Sequence, residues 1–369
     1  MCGALATLLT CAALPVSAAN ERPRWDTRVL ALVGKPGYPA RAYVAPNGRI
    51  YEGTYTNPNG GSRPSLVREY LGDGTLLHTW TVPDQNLSGD QGIQVATSDT
   101  RGRLVLLDRS PARVLLLNRH RHIQRKRFHT YARFRDLPPC SPGRSGPNCS
   151  PTTGDDPPVP NYAAWGPGGA LYVTDYLQAV IWRVPPGGGK PTVWLADPRL
   201  DGSDFGTTGL VLKPDHLTLL VMQQSSAGGA DGNPTSGKLY SVRIRPHHRH
   251  GALRRIWQSR PLDGPDGFWI AQSGRIYAAL AGSNQIAVIG PGGRDLQRFP
   301  VIPGPGSNGS AVPFDTPSSV MFRGTRLMVA NQAFFSGDST HQAILDVEAR
   351  ERGMPEFIPS TAGLSRQRR

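Results

Sequence analysis

One pattern occurs six times along the 369-residue sequence: an alternating apolar strand, a tight turn and a second alternating strand. The turn positions, at intervals of roughly 50 to 70 residues, are Gly48, Gly102, Gly169, His216, Gly274 and Gly324. Period-two alternation rich in β-branched and aromatic residues indicates half-buried strands. Units of about four such strands, repeated six times, predict an all-β fold, a six-bladed β-propeller with antiparallel strands in each blade.

The repeats also determine the expected domain organisation. Length alone would suggest two or three domains, but repeats that bury their faces against neighbouring repeats form one closed unit. We expect a single domain over residues 27–358 and a flexible C-terminal tail over residues 359–369. No amphipathic helix of about ten residues is visible, which argues against a parallel α/β fold.

The N-terminal residues have the character of a targeting segment. Residues 1–19, MCGALATLLTCAALPVSAA, are typical of a secretory signal peptide, with an apolar stretch and a small-residue cleavage pattern ending at Ala18. The alternative is a lipoprotein anchored through Cys11, although LLTC is a poor lipobox. No other stretch approaches about 18 apolar residues, so we expect no mature transmembrane helix and a secreted protein.

Two of the four cysteines lie outside the signal segment. Cys140 and Cys149 bracket the short stretch SPGRSGPN. In an oxidising compartment such a pair is expected to form a disulfide. Two thiols without an adjacent histidine make a poor metal site.

The formal net charge is +14, and arginine dominates the cations. They concentrate in RHRHIQRKRFHTYARFR (119–135) and RIRPHHRHGALRR (243–255). Such runs can bind polyanions, but they also protect exposed strand edges from pairing with other chains. The sequence has no nucleic-acid-binding motif, so we favour a solvated outer edge and expect no specific nucleic-acid partner.

The candidate site follows from the register of the repeats. Asp266 lies eight residues before its turn position, Gly274, and Asn161, Thr208 and Ala40 lie eight residues before theirs. Because the innermost strands of a propeller start around one mouth of the ring, these side chains are expected to cluster there. The alternative is that Asp266 merely caps the turn before its strand.

Three of the repeats resemble a known family. PDGFWIAQSGRIYAAL, PNYAAWGPGGALYV and GTTGLVLKPDHLTLLV are similar to the blade openings of the SMP-30/gluconolactonase/LRE family. The resemblance implies a six-bladed propeller and, in the active members, lactone hydrolysis with a divalent cation held by a Glu, an Asn and an Asp. A further Asn contacts the metal-bound water or the substrate.

The resemblance places only part of that site in this chain. It assigns the Asp to Asp266 and the further Asn to Asn161, whereas the Glu becomes Ala40 and the metal-binding Asn becomes Thr208. One carboxylate, one hydroxyl and one amide make a weak site for a hard dication, which prefers six to eight oxygens. A divalent cation (calcium, zinc or manganese) held by Asp266, Thr208 and Asn161 therefore stays a hypothesis.

Other polar residues could add ligands. Gln91 and Ser318, at the starts of the second and sixth blades, are further candidates for the channel mouth. A carboxylate from a neighbouring loop could replace the missing Glu, and the candidates are Asp155, Asp156, Asp204, Asp263 and Asp315.

Two functions remain open at this stage. The first is a metal-assisted lactone or ester hydrolase in which Asp266 and Asn161 act on the substrate. The second is a non-catalytic propeller, expected to be a monomer, that binds a small ligand, sugar or protein at the channel mouth. The fold hosts both kinds of protein and does not decide between them.

Overall fold

The computed structural model describes residues 22–55, 62–120, 127–141, 143–202, 205–225 and 235–364. Within them, antiparallel strands form six sheets of four strands each, which confirms the predicted six-bladed propeller. The helical elements described are four short 3₁₀ turns: Pro167–Gly169, Pro198–Leu200, Pro246–His248 and Ser339–His341. In this part of the chain no helix has the length and apolarity needed to span a bilayer.

Every blade is built from four strands that follow one another outward from the ring axis. The innermost strands are β2 (Pro39–Val44), β6 (Ile93–Ser98), β10 (Pro160–Trp165), β14 (Thr207–Leu212), β18 (Pro265–Ile270) and β22 (Pro317–Arg323). The second strands are β3 (Ile50–Thr54), β7 (Leu104–Arg109), β11 (Leu171–Asp175), β15 (Thr218–Gln223), β19 (Ile276–Leu280) and β23 (Arg326–Asn331). The third strands are β4 (Leu66–Tyr70), β8 (Ala112–Leu117), β12 (Val180–Val184), β16 (Lys238–Arg243), β20 (Gln285–Ile289) and β24 (Ala343–Glu348). The outermost strands are β5 (Leu76–Thr81), β9 (Phe128–Arg133), β13 (Thr192–Ala196), β17 (Arg254–Gln258), β21 (Asp295–Phe299) and β1 (Thr27–Leu32).

The N-terminal strand closes the ring. β1 pairs with β24 and so becomes the outermost strand of blade 6, which otherwise consists of the last three strands of the chain. Each innermost strand also contacts the innermost strands of both neighbouring blades, β22 contacting β2. Backbone hydrogen bonds between β1 and β24 therefore join the first and last parts of the chain.

Burial falls from the axis outward because each blade packs its faces on its neighbours near the axis and meets solvent at its rim. β2, β6 and β10 are buried along their whole length, whereas β17 is mostly exposed. Arg254 and Arg255 lie exposed on β17, at an outer edge where their charges oppose pairing with another chain. In the first arginine-rich stretch, residues 121–126 lie outside the described residues.

The predicted disulfide is present. Cys140 and Cys149 are bonded, with their Cα atoms 4.8 Å apart, in the long connection between β9 and β10. Cys140 N donates to Ser150 O at 2.9 Å, so the bridge closes a loop whose base is also held by the backbone. The signal segment, including Cys11, lies outside the described residues.

We call the mouth where the innermost strands begin the front mouth, and the mouth carrying the turns into the second strands the back mouth. After β24, residues 349–364 run across the back mouth. Met354 N donates to Ile270 O at 2.8 Å, Tyr43 donates to the Glu356 carboxylate at 2.8 Å, and Arg103 donates to Gly363 O at 2.8 Å. Residues 359–364 of the expected tail thus pack on the ring, and residues 365–369 lie outside the described part.

Candidate functional site

A cavity of about 250 Å³ opens at the front mouth. The second residues of five innermost strands line it: Ala40, Gln94, Asn161, Asp266 and Ser318. Residues that stand hundreds of positions apart in the chain therefore meet around one space.

A repeated backbone irregularity directs these side chains. In five blades the first residue of the innermost strand pairs with the second strand, and the pairing then shifts by one residue. Such a bulge leaves the next residue outside the regular ladder and turns its side chain away from the sheet face. In blade 2 the shift comes later, between Val95 and Thr97. The residue after Pro39, Pro160, Pro265 or Pro317 faces the cavity beside this irregularity.

The structure brings Asn161, Asp266 and Ser318 together, as the register indicates, and places Ala40 beside them. Thr208 occupies the same strand position but is fully buried, and its hydroxyl lies 3.4 Å from Asp266 O and 3.5 Å from Pro265 O. Thr208 is not one of the described residues that line the cavity.

Gln91 lies two residues before β6, fully buried, and its Nε2 donates to Arg63 O at 2.9 Å. Gln94 lines the cavity in its place. Gln94 lies eight residues before Gly102, so the spacing that selects Asp266 also selects Gln94 when it is applied to the second blade.

The neighbouring aspartates are engaged elsewhere or exposed. Asp263 forms an ion pair with Arg298 at 2.7 Å, and Asp315 lies 2.8 Å from the Nδ1 atom of His341. Asp155 and Asp156 are exposed, and Asp204 lies outside the described residues. None of these described aspartates joins Asp266 at the cavity wall.

Asp266 is the acidic residue contributed by blade 5. Burial raises the pKa of its carboxyl to about 8, because removal from water disfavours the charged form. The Tyr162 hydroxyl and the positive charge of Arg41 act in the opposite direction but are weaker. Its Oδ1 atom is buried with no hydrogen-bond partner among the described residues. At neutral pH the carboxyl is therefore mostly protonated and can donate a hydrogen bond.

The donor set does not suit a divalent cation. The Oδ1 atom of Asn161 accepts a hydrogen bond from Gln94, and the Thr208 hydroxyl faces backbone carbonyls. Asp266 is the single carboxylate of the proposed set, and the positive charge of Arg41 already acts on it. Among the described residues, moreover, no three His, Cys, Asp or Glu side chains are grouped as metal ligands. Calcium needs several oxygens that compensate its charge, so these residues do not fit the cation that the resemblance implies.

An ion pair between the buried Arg109 and the exposed Asp90 borders the cavity in blade 2. Arg109 donates to the Asp90 carboxylate, and its guanidinium lies 4.2 Å from the centroid of the Tyr55 ring. Burial lowers the pKa of Arg109 to about 10. The two charges of the pair compensate one another, so the cavity wall is polar but carries little net charge.

The comparisons with known proteins show the fold. The structure is similar to the calcium-binding protein regucalcin from Agrobacterium tumefaciens, with a TM-score of 0.55 at 15% identity, over 90% of this chain and 98% of that one. It is also similar to the PQQ-bound aldose sugar dehydrogenase from Streptomyces coelicolor, with a TM-score of 0.55 at 13% identity, over 87% of this chain and 96% of that one. For virginiamycin B lyase from Staphylococcus aureus with quinupristin, the TM-score is 0.50 at 13% identity, over 86% and 82%.

No family model matches the sequence, and no curated protein matches it. At such low identity the structural likeness establishes the architecture alone. The class defined by fold and site is a six-bladed β-propeller with a cavity at its front mouth that is lined by polar and apolar side chains.

Proposed function

We propose that this protein binds a small molecule in the front-mouth cavity. The observation that carries the proposal is the convergence of Gln94, Asn161 and Asp266, from three blades, on one space of about 250 Å³. Ligand sites are concave and combine apolar walls with a few convergent polar groups. This cavity has both, because aromatic and aliphatic side chains line it beside these polar groups.

The polar groups suit a ligand with hydroxyl or carbonyl groups. A protonated Asp266 donates a hydrogen bond, and the orphaned Oε1 atom of Gln94 is an acceptor whose side chain lies in the wall. Buried polar atoms without partners cost free energy, so a ligand that supplies the missing partner after a small side-chain adjustment recovers it. Sugars and lactones have such groups.

Binding should depend on Asp266. We expect Asp266→Ala to weaken the binding of the best ligand from a panel of neutral sugars and lactones about tenfold or more, because a buried hydrogen-bonding group is lost. Isothermal titration calorimetry measures the dissociation constant. The matched control is Asp155→Ala, which removes an exposed aspartate outside the cavity wall and should leave binding unchanged. A wild-type ligand whose affinity is the same in Asp266→Ala would contradict the proposed site.

A second candidate function is hydrolysis of a lactone or ester, and the raised pKa of Asp266 favours it. A carboxyl that exchanges its proton near neutral pH can serve as a general acid or base. In this reaction water adds to the carbonyl carbon, the C–O bond to the leaving oxygen breaks, and that oxygen takes a proton from Asp266. The proton that the water gives up returns to the Asp266 carboxylate and restores its acid form. No step is assigned to a metal, because the residues present do not fit one.

Turnover distinguishes the two functions. A lactone panel is assayed with and without calcium, manganese and zinc, using wild type, Asp266→Asn and Asp155→Asn. Turnover that is lost only in Asp266→Asn supports hydrolysis, and binding without turnover leaves the binding function alone. A strict requirement for an added cation would contradict our conclusion about the donor set.

We further propose that the mature protein acts in an oxidising compartment outside the cytoplasm. The support is the Cys140–Cys149 disulfide together with the signal-like residues 1–19.

A further inference from the structure

We propose that the front-mouth cavity selects a ligand carrying a planar, apolar ring, and that Phe334 and Phe335 recognise this ring. The inference rests on the proposed binding function and adds to it the class of ligand and two specificity-determining residues. Neither phenylalanine belongs to the strands of the repeats, since both lie in the loop after β23.

The first observation is a continuous series of aromatic rings around the cavity. The ring centroid of Phe334 lies 6.2 Å from Tyr38, 5.9 Å from Tyr55 and 5.6 Å from Phe335, all in edge-to-face geometry. Phe335 in turn lies 6.1 Å from Phe205, also edge to face. In each edge-to-face pair the edge of one ring covers a face of the other, but Phe335 remains exposed beside the cavity, so a planar ring can stack on it.

The second observation is the path of this series across the blades. Tyr55 follows the second strand of blade 1, Phe335 belongs to blade 6 and Phe205 precedes the first strand of blade 4. Tyr176, at 6.2 Å from Phe205, extends the series to blade 3. Blade 5 lies between blades 4 and 6 and contributes Asp266 to the same cavity. A ligand that is hydrogen-bonded to Asp266 is thus flanked by aromatic rings from blades 4 and 6.

The third observation is that the loop carrying the two phenylalanines is held in place although Phe335 is exposed. Phe335 has 57% of its surface accessible, which is unusual for a large apolar side chain. Yet Ala333 N donates to Asp315 O at 2.8 Å, Phe335 N donates to the Thr316 hydroxyl at 3.2 Å, and Ser336 donates to the Asp315 carboxylate at 2.5 Å.

Ala333 also adopts a left-handed backbone conformation, with φ of 51°, which a residue bearing a Cβ atom adopts only at a cost. The loop therefore holds a strained turn, with hydrogen bonds on both sides of it, and presents an exposed ring beside the cavity. A preorganised apolar surface of this kind loses little freedom when a ligand stacks on it.

The size of the cavity fits this ligand class. At about 30 Å³ for each water molecule in the liquid, 250 Å³ corresponds to roughly eight waters. A molecule of two fused six-membered rings occupies a comparable space. Coumarin, a planar aromatic lactone, and octahydrocoumarin, its saturated counterpart, share one skeleton and one carbonyl group and differ in planarity and aromaticity.

The test is the affinity of these two probes, measured by isothermal titration calorimetry. We expect wild type to bind coumarin about threefold to tenfold more tightly than octahydrocoumarin, the range that one aromatic contact supplies. Phe335→Leu keeps an apolar side chain but removes the ring, and it should abolish this preference. The matched control is Phe357→Leu, which removes a ring stacked on His216 at the back mouth and should preserve the preference.

The outcomes separate the inference from the proposed function. Equal affinity of wild type for the two probes, or a preference retained in both Phe334→Leu and Phe335→Leu, would overturn the role of the rings while the cavity remained a binding site. Binding of neither probe and of no sugar or lactone in the panel would overturn the proposed function itself. Matching thermal unfolding curves of wild type and the leucine variants establish that the variants are folded.

Discussion

Asp175→Ala is expected to lower the free energy of unfolding by about 4 kcal/mol or more, because it leaves several buried donors without an acceptor. The Asp175 carboxylate is fully buried at the end of β11. It accepts hydrogen bonds from Val159 N at 3.0 Å, from Leu177 N and Gln178 N at 3.2 Å, and from the Trp182 indole at 2.8 Å. Unfolding in urea, followed by tryptophan fluorescence, measures the change.

Asp175→Asn gives a sharper version of this test. The asparagine oxygen can accept from the three backbone amides, but its NH₂ group then faces the indole N–H of Trp182, and two donors oppose each other. We expect a loss of about 1–3 kcal/mol from this conflict. Adding Trp182→Phe removes the opposing donor, so the double variant should be less destabilised than the sum of the two single variants. Additive losses would show that the carboxylate is not the organising acceptor of this turn.

The second large effect concerns the pH dependence of stability. The pKa of Asp266 is about 8 in the folded protein, whereas an unperturbed Asp titrates near 3.9. Between these values the folded state binds the proton more tightly than the unfolded state, so this group lowers stability as the pH rises from about 4 to 8. Asp266→Asn stays neutral and avoids this penalty.

The variant is therefore expected to gain stability over wild type as the pH is raised from 5 to 8.5. The full effect is about 1.4 kcal/mol per pH unit. The carboxyl is partly exposed to the cavity and keeps some hydration, so we expect a relative gain of about 3 kcal/mol across the window. Urea unfolding of both proteins at matched pH values measures it. The control is Asp155→Asn, at an exposed position, which should show no such gain. A constant difference between wild type and Asp266→Asn would contradict the raised pKa.

The repeats predict the fold because every blade of a propeller contains the same local pattern of two alternating strands joined by a tight turn. Six pairs of alternating strands, each joined by a short turn, indicate six blades. The register of Asp266 and Asn161 predicts that both residues lie at one mouth. The same spacing, eight residues before Gly102, points in the second blade to Gln94 and not to Gln91.

Other parts of the site leave no such local pattern. Thr208 has the expected strand position, but its hydroxyl faces neighbouring backbone carbonyls, and only three-dimensional packing determines that orientation. Phe334 and Phe335 lie in a loop without a counterpart in the other repeats, so no register points to them. The packing of residues 359–364 on the back mouth depends on contacts with distant blades, such as that of Gly363 with Arg103, which a local reading of the C-terminus misses.

The most direct measurement of the central claim is a crystal structure of the protein soaked with coumarin. We expect electron density for coumarin in the front-mouth cavity, with the carbonyl group of coumarin near Asp266 and its rings against Phe335. Density for coumarin only at the back mouth, beside Phe357, with the front-mouth cavity containing solvent alone, would contradict it.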